Sequence, residues 1–152
     1  VVLLKDFSED GFVFFTNYNS EKGKSLLRRP KVGLSFYWPS MERQIIIKGI
    51  AEKLSTEKSD QYFHSRPRGS QLGAHVSPQS EVIPDRQFLK DLQTTLENKF
   101  KNTEIPRPDH WGGILVRPKE IEFWQGRPNR LHDRISCFLE NGVDWITNRL
   151  AP

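Results

Sequence analysis

The chain has 152 residues, enough for one domain with a real core. Its 36% hydrophobic and 28% charged residues mark a globular protein, and no apolar run approaches the ~20 residues of a membrane helix. The net charge of +4 is spread among interleaved acids, which disfavours a nucleic-acid groove and suits small phosphorylated ligands.

Val1–Lys5 reads as a strand already under way, so the natural protein is expected to extend upstream. No secretory pattern opens the sequence. Asp6–Asp10 reads as a polar turn and Gly11–Thr16 as a second strand, a hairpin pair. After a loop at Asn17–Ser20, Ser20 is placed to cap a helix through Arg29 that Pro30 ends. Val32–Trp38 and Arg43–Leu54 are the third and fourth strands. In the latter, Ile45, Ile47 and Ala51 share one face, and Gly49 predicts a bend or bulge. Ser55 caps a helix to about Ser65, which Arg66-Pro67 stops. Gly69–Ser80, rich in small residues, resists assignment. Phe88, Leu92, Leu96 and Phe100 recur every four residues and predict a helix over Asp85–Lys101. Gly113–Arg117 and Ile121–Gln125 read as two strands, and Asn141-Gly142 as the turn joining strands Ile135–Glu140 and Val143–Leu150. Seven or eight short strands with three inserted helices predict a barrel or sandwich. No glycine-rich strand-to-helix turn supports a dinucleotide site.

Metal-ligand and nucleophile patterns are absent. The four histidines lie far apart, and the single cysteine, Cys137, reads as a strand residue in a protein of a reducing, cytoplasmic compartment. Two stretches carry the chemistry. Tyr62-Phe63-His64-Ser65-Arg66-Pro67-Arg68-Gly69-Ser70 offers a phenol, a guanidinium fork and a hydroxyl, donors suited to a phosphate monoester. An equally weighted reading makes Tyr62 core and Arg66 a cap on helix carbonyls. Trp124-Gln125-Gly126-Arg127-Pro128-Asn129-Arg130-Leu131-His132-Asp133-Arg134 sets arginines, a histidine and an indole around a turn, as an anionic planar aromatic ligand requires. If extended, Arg130 and His132 face the same side.

Trp124-Gln125-Gly126 with Arg130-Leu131-His132-Asp133-Arg134 resembles the signature of the pyridoxine (pyridoxamine) 5'-phosphate oxidases. Val2–Lys5, Phe14–Asn17, Lys22-Gly23, Phe36–Trp38, Arg43-Gln44, Tyr62–Pro67, Ser77–Ser80, Trp111–Gly113 and Arg149–Pro152 follow in the family's order and spacing. The resemblance implies a mainly β fold with inserted helices: a split β-barrel, Greek-key in type, with residues 1–152 a single FMN-binding domain. It implies a homodimer with FMN at the subunit interface and residues 135–152 as a C-terminal dimerisation hairpin. Val1, Val2, Leu3, Phe15, Thr16, Lys22, Gln44, Gln79, Ser80, Trp124 and Arg134 become FMN contacts. Lys5, Tyr62, Arg66 and Ser70 become the cradle of the substrate phosphate. Arg130, Leu131 and His132 lie over the pyridine ring, Arg130 and His132 as catalytic residues. The reaction implied is oxidation of pyridoxine or pyridoxamine 5'-phosphate to pyridoxal 5'-phosphate, with dioxygen reduced to hydrogen peroxide.

The sequence departs from the family's pattern in two places. The family's arginine before Val1 and its covering N-terminal segment do not stand here, and Glu21 occupies a position where the family usually has a cation. These departures keep a second reading in view: a split-barrel protein that binds FMN or pyridoxal phosphate without turnover.

Overall fold

The computed structural model describes residues 1–152. Its architecture follows from one long strand, β5 (Trp111–Gln125). Before it come β1 (Asp6–Ser8), β2 (Gly11–Asn17), β3 (Lys31–Trp38) and β4 (Arg43–Lys53); after it come β6 (Asp133–Glu140) and β7 (Asp144–Leu150). All pair antiparallel in one seven-stranded sheet. Four helices are inserted: α1 (Glu21–Arg28), α2 (Thr56–Ser65), α3 (Arg68–Val76) and α4 (Arg86–Lys99). None is long and apolar enough to cross a membrane.

One edge of β5 lies along β4 for nearly its whole length. Its other edge pairs with β2 from Trp111 to Val116, then with β6 from Glu120 to Gln125. Pro118, which has no N–H to donate, falls in the gap between those two partners. Opposite it the register of β4 shifts between Lys48 and Gly49, leaving Lys119 as an extra residue on β5. The bulge reverses the strand's parity. Ile114 and Val116 point inward before it and Ile121 after it, so Leu115, Glu122 and Trp124 share the opposite face. A Cβ on Gly49 would stand 2.2 Å from the Arg117 carbonyl oxygen, so the glycine predicted to mark a bend is required by close backbone approach.

Two apolar clusters hold the layers together. Phe14, Tyr18, Ala51, Ile114 and Val116 fill the concave side, covered by Leu26 of α1. Phe63, Leu72, Ala74, Phe100, Ile105 and Trp111 join α2 and α3 to the start of β5. Phe14 and its neighbour Phe15 point to opposite faces of β2, so one enters the first cluster and the other packs on the second.

Several sequence expectations need correction. Val1–Lys5 is not a strand: the tight turn at Glu9-Asp10 pairs Ser8 with Gly11, so the hairpin strand begins at Asp6, and Lys5 adds one bond from its N–H to the Val13 carbonyl. The unassigned Gly69–Ser80 stretch holds most of α3. Burial of Leu72, Ala74 and Val76 outweighs the poor helix propensity of Gly69 and Gly73. The two strands expected around Pro118 are one. Pro128–Arg130 is a 3-10 turn, with Asn129 and Arg130 at φ 59° and 60°, so the extended-segment argument for Arg130 and His132 fails.

Candidate active site

The C-terminal end of β2 and the N-terminal end of α1 are fitted together by Ser20 and Gly23. The Ser20 hydroxyl accepts from the Gly23 N–H at 3.1 Å and donates to the Asn17 carbonyl at 2.7 Å. A Cβ on Gly23 would lie 2.5 Å from both the Asn17 and Tyr18 carbonyl oxygens, so only glycine lets α1 start this close to β2. The next-door Lys22 is thereby brought to the rim of a cavity of about 450 Å³.

That cavity gathers most of the residues expected from sequence. Val1, Val2, Leu3, Lys5, Phe15, Thr16, Lys22, Tyr62, Arg66, Ser70 and Gln79 line it, with Asn17, Pro67 and Trp111. Its wall is aromatic: Phe15 stacks on Tyr62 with centroids 3.8 Å apart and on Trp111 at 5.4 Å. The Gln79 carbonyl oxygen accepts from the Thr16 hydroxyl and the Asn17 N–H at 3.5 and 3.3 Å, turning its amide NH₂ outward as a donor. Ser80, at φ 73°, follows it in a left-handed conformation. Glu21 is exposed and does not line the cavity.

Arg66 supplies the sharpest signal. It caps α2 beyond Ser65 in extended conformation, so it is not the helical partner of Tyr62 at four residues' spacing. Its guanidinium lies 4.5 Å over the Trp111 ring, and its buried Nη1 has no hydrogen-bond partner. Burial holds the group below its ordinary pKa, partly offset by Tyr62. A buried cationic donor without an acceptor, in a cavity that also presents Lys5, Lys22 and Ser70, is complementary to an anion. Trp111 was legible in the sequence only as part of Trp111-Gly112-Gly113; its service as the platform of Arg66 depends on tertiary packing.

The remaining residues form a second group at the far end of β5. Gln44, Trp124 and Arg134 are lateral neighbours in one row, and by the parity of the bulge they occupy the sheet face shared by Trp111, Gly113 and Leu115. Gln44 donates to the Ser35 hydroxyl at 3.1 Å. Arg134 grips Glu122 with Nε and Nη2 at 2.8 and 3.1 Å, and Nη1 donates to the Ala151 carbonyl. The pair holds the Glu122 carboxyl below the usual range and raises Arg134. His132 packs on Trp124 with centroids 4.8 Å apart and accepts the Arg127 N–H at Nδ1. Arg130 and Leu131 are exposed. Roughly 40 Å of strand, at ~3.3 Å per residue, separates Trp111 from Trp124. The two groups do not converge within one protomer.

The sequence profile described as pyridoxamine 5'-phosphate oxidase matches residues 1–98, and that of the pyridoxine 5'-phosphate oxidase C-terminal dimerisation region matches residues 111–152. The chain belongs to the pyridoxamine 5'-phosphate oxidase family. It is 60% identical over 151 residues to the pyridoxine/pyridoxamine 5'-phosphate oxidase of Flavobacterium johnsoniae, covering 99% of this chain and 71% of that protein. Against the protein of the same name from Nostoc sp. it is 55% identical over 152 residues, covering 100% and 71%. Among solved structures it is similar to PhzG from Burkholderia lata 383, crystallised with tetrahydrophenazine-1-carboxylic acid: TM-score 0.90, 28% identity, 99% of this chain and 73% of that one. A pyridoxamine 5'-phosphate oxidase-related, FMN-binding protein from Nostoc punctiforme aligns at TM-score 0.76 with 14% identity over 99% and 79%. The fold is the split β-barrel of this family.

Proposed function

We propose that this chain is an FMN-dependent oxidase that converts pyridoxine 5'-phosphate or pyridoxamine 5'-phosphate to pyridoxal 5'-phosphate. Dioxygen is the final acceptor and is reduced to hydrogen peroxide; in the amine case water releases ammonia. The observation that carries the reading is the Arg66 guanidinium, held on Trp111 with a buried, unpartnered N–H in a cavity lined by further cations and hydroxyls.

The residues present fit FMN and a phosphorylated pyridine. Thr16, Lys22, Gln79 and the Val1–Leu3 segment offer donors to FMN, with Ser80 next in the chain, and Lys5, Tyr62, Arg66 and Ser70 of the same cavity offer a phosphate cradle. Gln44, Trp124 and Arg134 supply amide, indole and guanidinium from the far end of β5. Because those groups lie apart in one protomer, a homodimer brings one protomer's cavity against its partner's turn. The hairpin within residues 135–152 supplies the contact surface, and Phe138, Val143 and Trp145 leave apolar area exposed on it. Residues 1–152 then act as a single FMN-binding domain.

Bound FMN supplies the hydride acceptor. The protein's part is placement. Arg66 and its neighbours fix the phosphate end, and Arg130 faces the pyridine ring and stabilises charge that develops there. His132 orients the same ring. The purified dimer loaded with FMN tests the proposal by its visible absorbance under anaerobic addition of pyridoxine 5'-phosphate. Bleaching of the flavin band is expected, and recovery on admitting air. A chain that ignores FMN, or a flavin band unmoved by either vitamer, would overturn it, the latter in favour of a binder without turnover.

A further inference from the structure

His132 is held by more than its ring contact with Trp124. The Arg127 backbone N–H lies 3.1 Å from Nδ1. A backbone amide only donates, so Nδ1 carries the lone pair, and the proton of the neutral ring resides on Nε2. Arg127 is anchored in turn through its own side chain: Nε donates to Asp133 Oδ2 at 2.7 Å, and Asp133 Oδ1 accepts from Arg149 Nη1 at 2.8 Å. Arg149 belongs to β7, and Asp133 opens β6 opposite Gln125 at the end of β5. Indole and amide thus fix the plane and the edge of the imidazole, and a carboxylate bracketed by two arginines fixes the amide.

We propose that Asp133 and Arg127 are positioning residues that lock His132 in the Nε2–H tautomer, so that it donates a hydrogen bond to an oxygen of the substrate and does not receive the substrate's proton. This inference rests on the oxidase reading for the identity of the substrate, while the tautomer stands on the geometry of this turn alone. It assigns work to Asp133 and Arg149, which touch no predicted ligand. The two arginines also hold the Asp133 carboxyl below its usual range, so the anchor stays charged across neutral pH.

The test is a long-range proton–nitrogen NMR correlation on the FMN-loaded protein with labelled histidine. The chain has only four histidines, and His132→Gln identifies the signals of interest. The parent is expected to show His132 with an unprotonated Nδ1 and a protonated Nε2. In Asp133→Ala the two nitrogen signals should move toward the averaged pattern of a free imidazole, and kcat should fall ~10-fold with the flavin spectrum retained. Asp133→Asn, which keeps one acceptor oxygen, should recover part of both. Arg127→Ala provides the same test through an exposed side chain, should the aspartate variant fold poorly. A parent with the proton on Nδ1 would overturn the proposal, as would an unchanged tautomer in both Asp133→Ala and Arg127→Ala. Failure of the parent to be reduced by either vitamer would instead sink the oxidase reading and leave the tautomer assignment intact.

Discussion

Replacing Arg66 by methionine separates a ligand-binding role from a structural one, because the first predicts a loss of affinity and the second a loss of stability. In the ligand-free protein Nη1 is buried without an acceptor, and relief of that desolvation is worth about 1–3 kcal/mol. Against it stands loss of the stacking on Trp111, worth about 0.5–2 kcal/mol. Methionine keeps much of the stem's packing, so the net change in unfolding free energy should lie within about 1 kcal/mol of zero. Binding of the phosphate ester should behave otherwise. Loss of one charge-assisted hydrogen bond costs about 1.5–3 kcal/mol, a rise in Kd of roughly 10- to 150-fold. Pyridoxal 5'-phosphate, the product, serves as titrant because it does not turn over; calorimetry on the FMN-loaded dimer gives its Kd, and urea denaturation of the FMN-free protein gives stability. Equal weakening of FMN and pyridoxal 5'-phosphate would refute the reasoning. So would a stability loss above about 2 kcal/mol with product affinity unchanged, since that marks Arg66 as a helix cap.

Arg130→Ala should keep the flavin spectrum while slowing anaerobic reduction by pyridoxine 5'-phosphate by about 2.7–4 kcal/mol of barrier, read by single-turnover stopped flow. Gly23→Ala should destabilise the protein by about 1–3 kcal/mol in urea, because its Cβ meets two carbonyl oxygens at 2.5 Å, and FMN affinity should fall as Lys22 is displaced. Glu122 has a carboxyl pKa lowered by Arg134, so its contribution is complete above the unfolded carboxylate value and disappears as pH falls through the lowered folded value. Melting temperature followed from about pH 7 down to about pH 3 should therefore fall less in Glu122→Gln than in the parent, and parallel curves would exclude the pair from acid unfolding.

Local chemistry made much of the fold legible. Ser20 and Ser55 cap the helices expected of them, accepting the N–H of Gly23 and Lys58, and Asp85, read from sequence as the first helical residue, is the cap of α4, accepting from Phe88. Gly49 announced the bulge. What stayed hidden depended on partners remote in sequence. Pro118 reads as a strand breaker until β5 is seen to change neighbours there, and the α3 stretch resists assignment until Leu72 is seen in one buried cluster with Phe63. The resemblance sorts the site residues by ligand type, and the structure gathers eleven of them in one cavity and sets Gln44, Trp124 and Arg134 at the other end of β5. Nothing in the chain order announces that Arg66 rests on Trp111, or that Asp133 reaches His132 through Arg127; both contacts arise from packing and from a turn whose left-handed residues, Asn129 and Arg130, are not glycine.

The length of β5 has a genetic corollary. If its two ends serve different sites in a two-fold assembly, a lesion at one end and a lesion at the other can compensate in trans. A dimer pairing an Arg66→Ala subunit with an Arg130→Ala subunit contains one site carrying both defects and one carrying neither. Random reassortment of two inactive parents makes roughly half of the dimers mixed, so about a quarter of all sites become intact. Coexpression of the two alleles should then restore growth that neither supports alone, whereas two lesions at the same end, such as Arg66→Ala and Tyr62→Ala, should never complement.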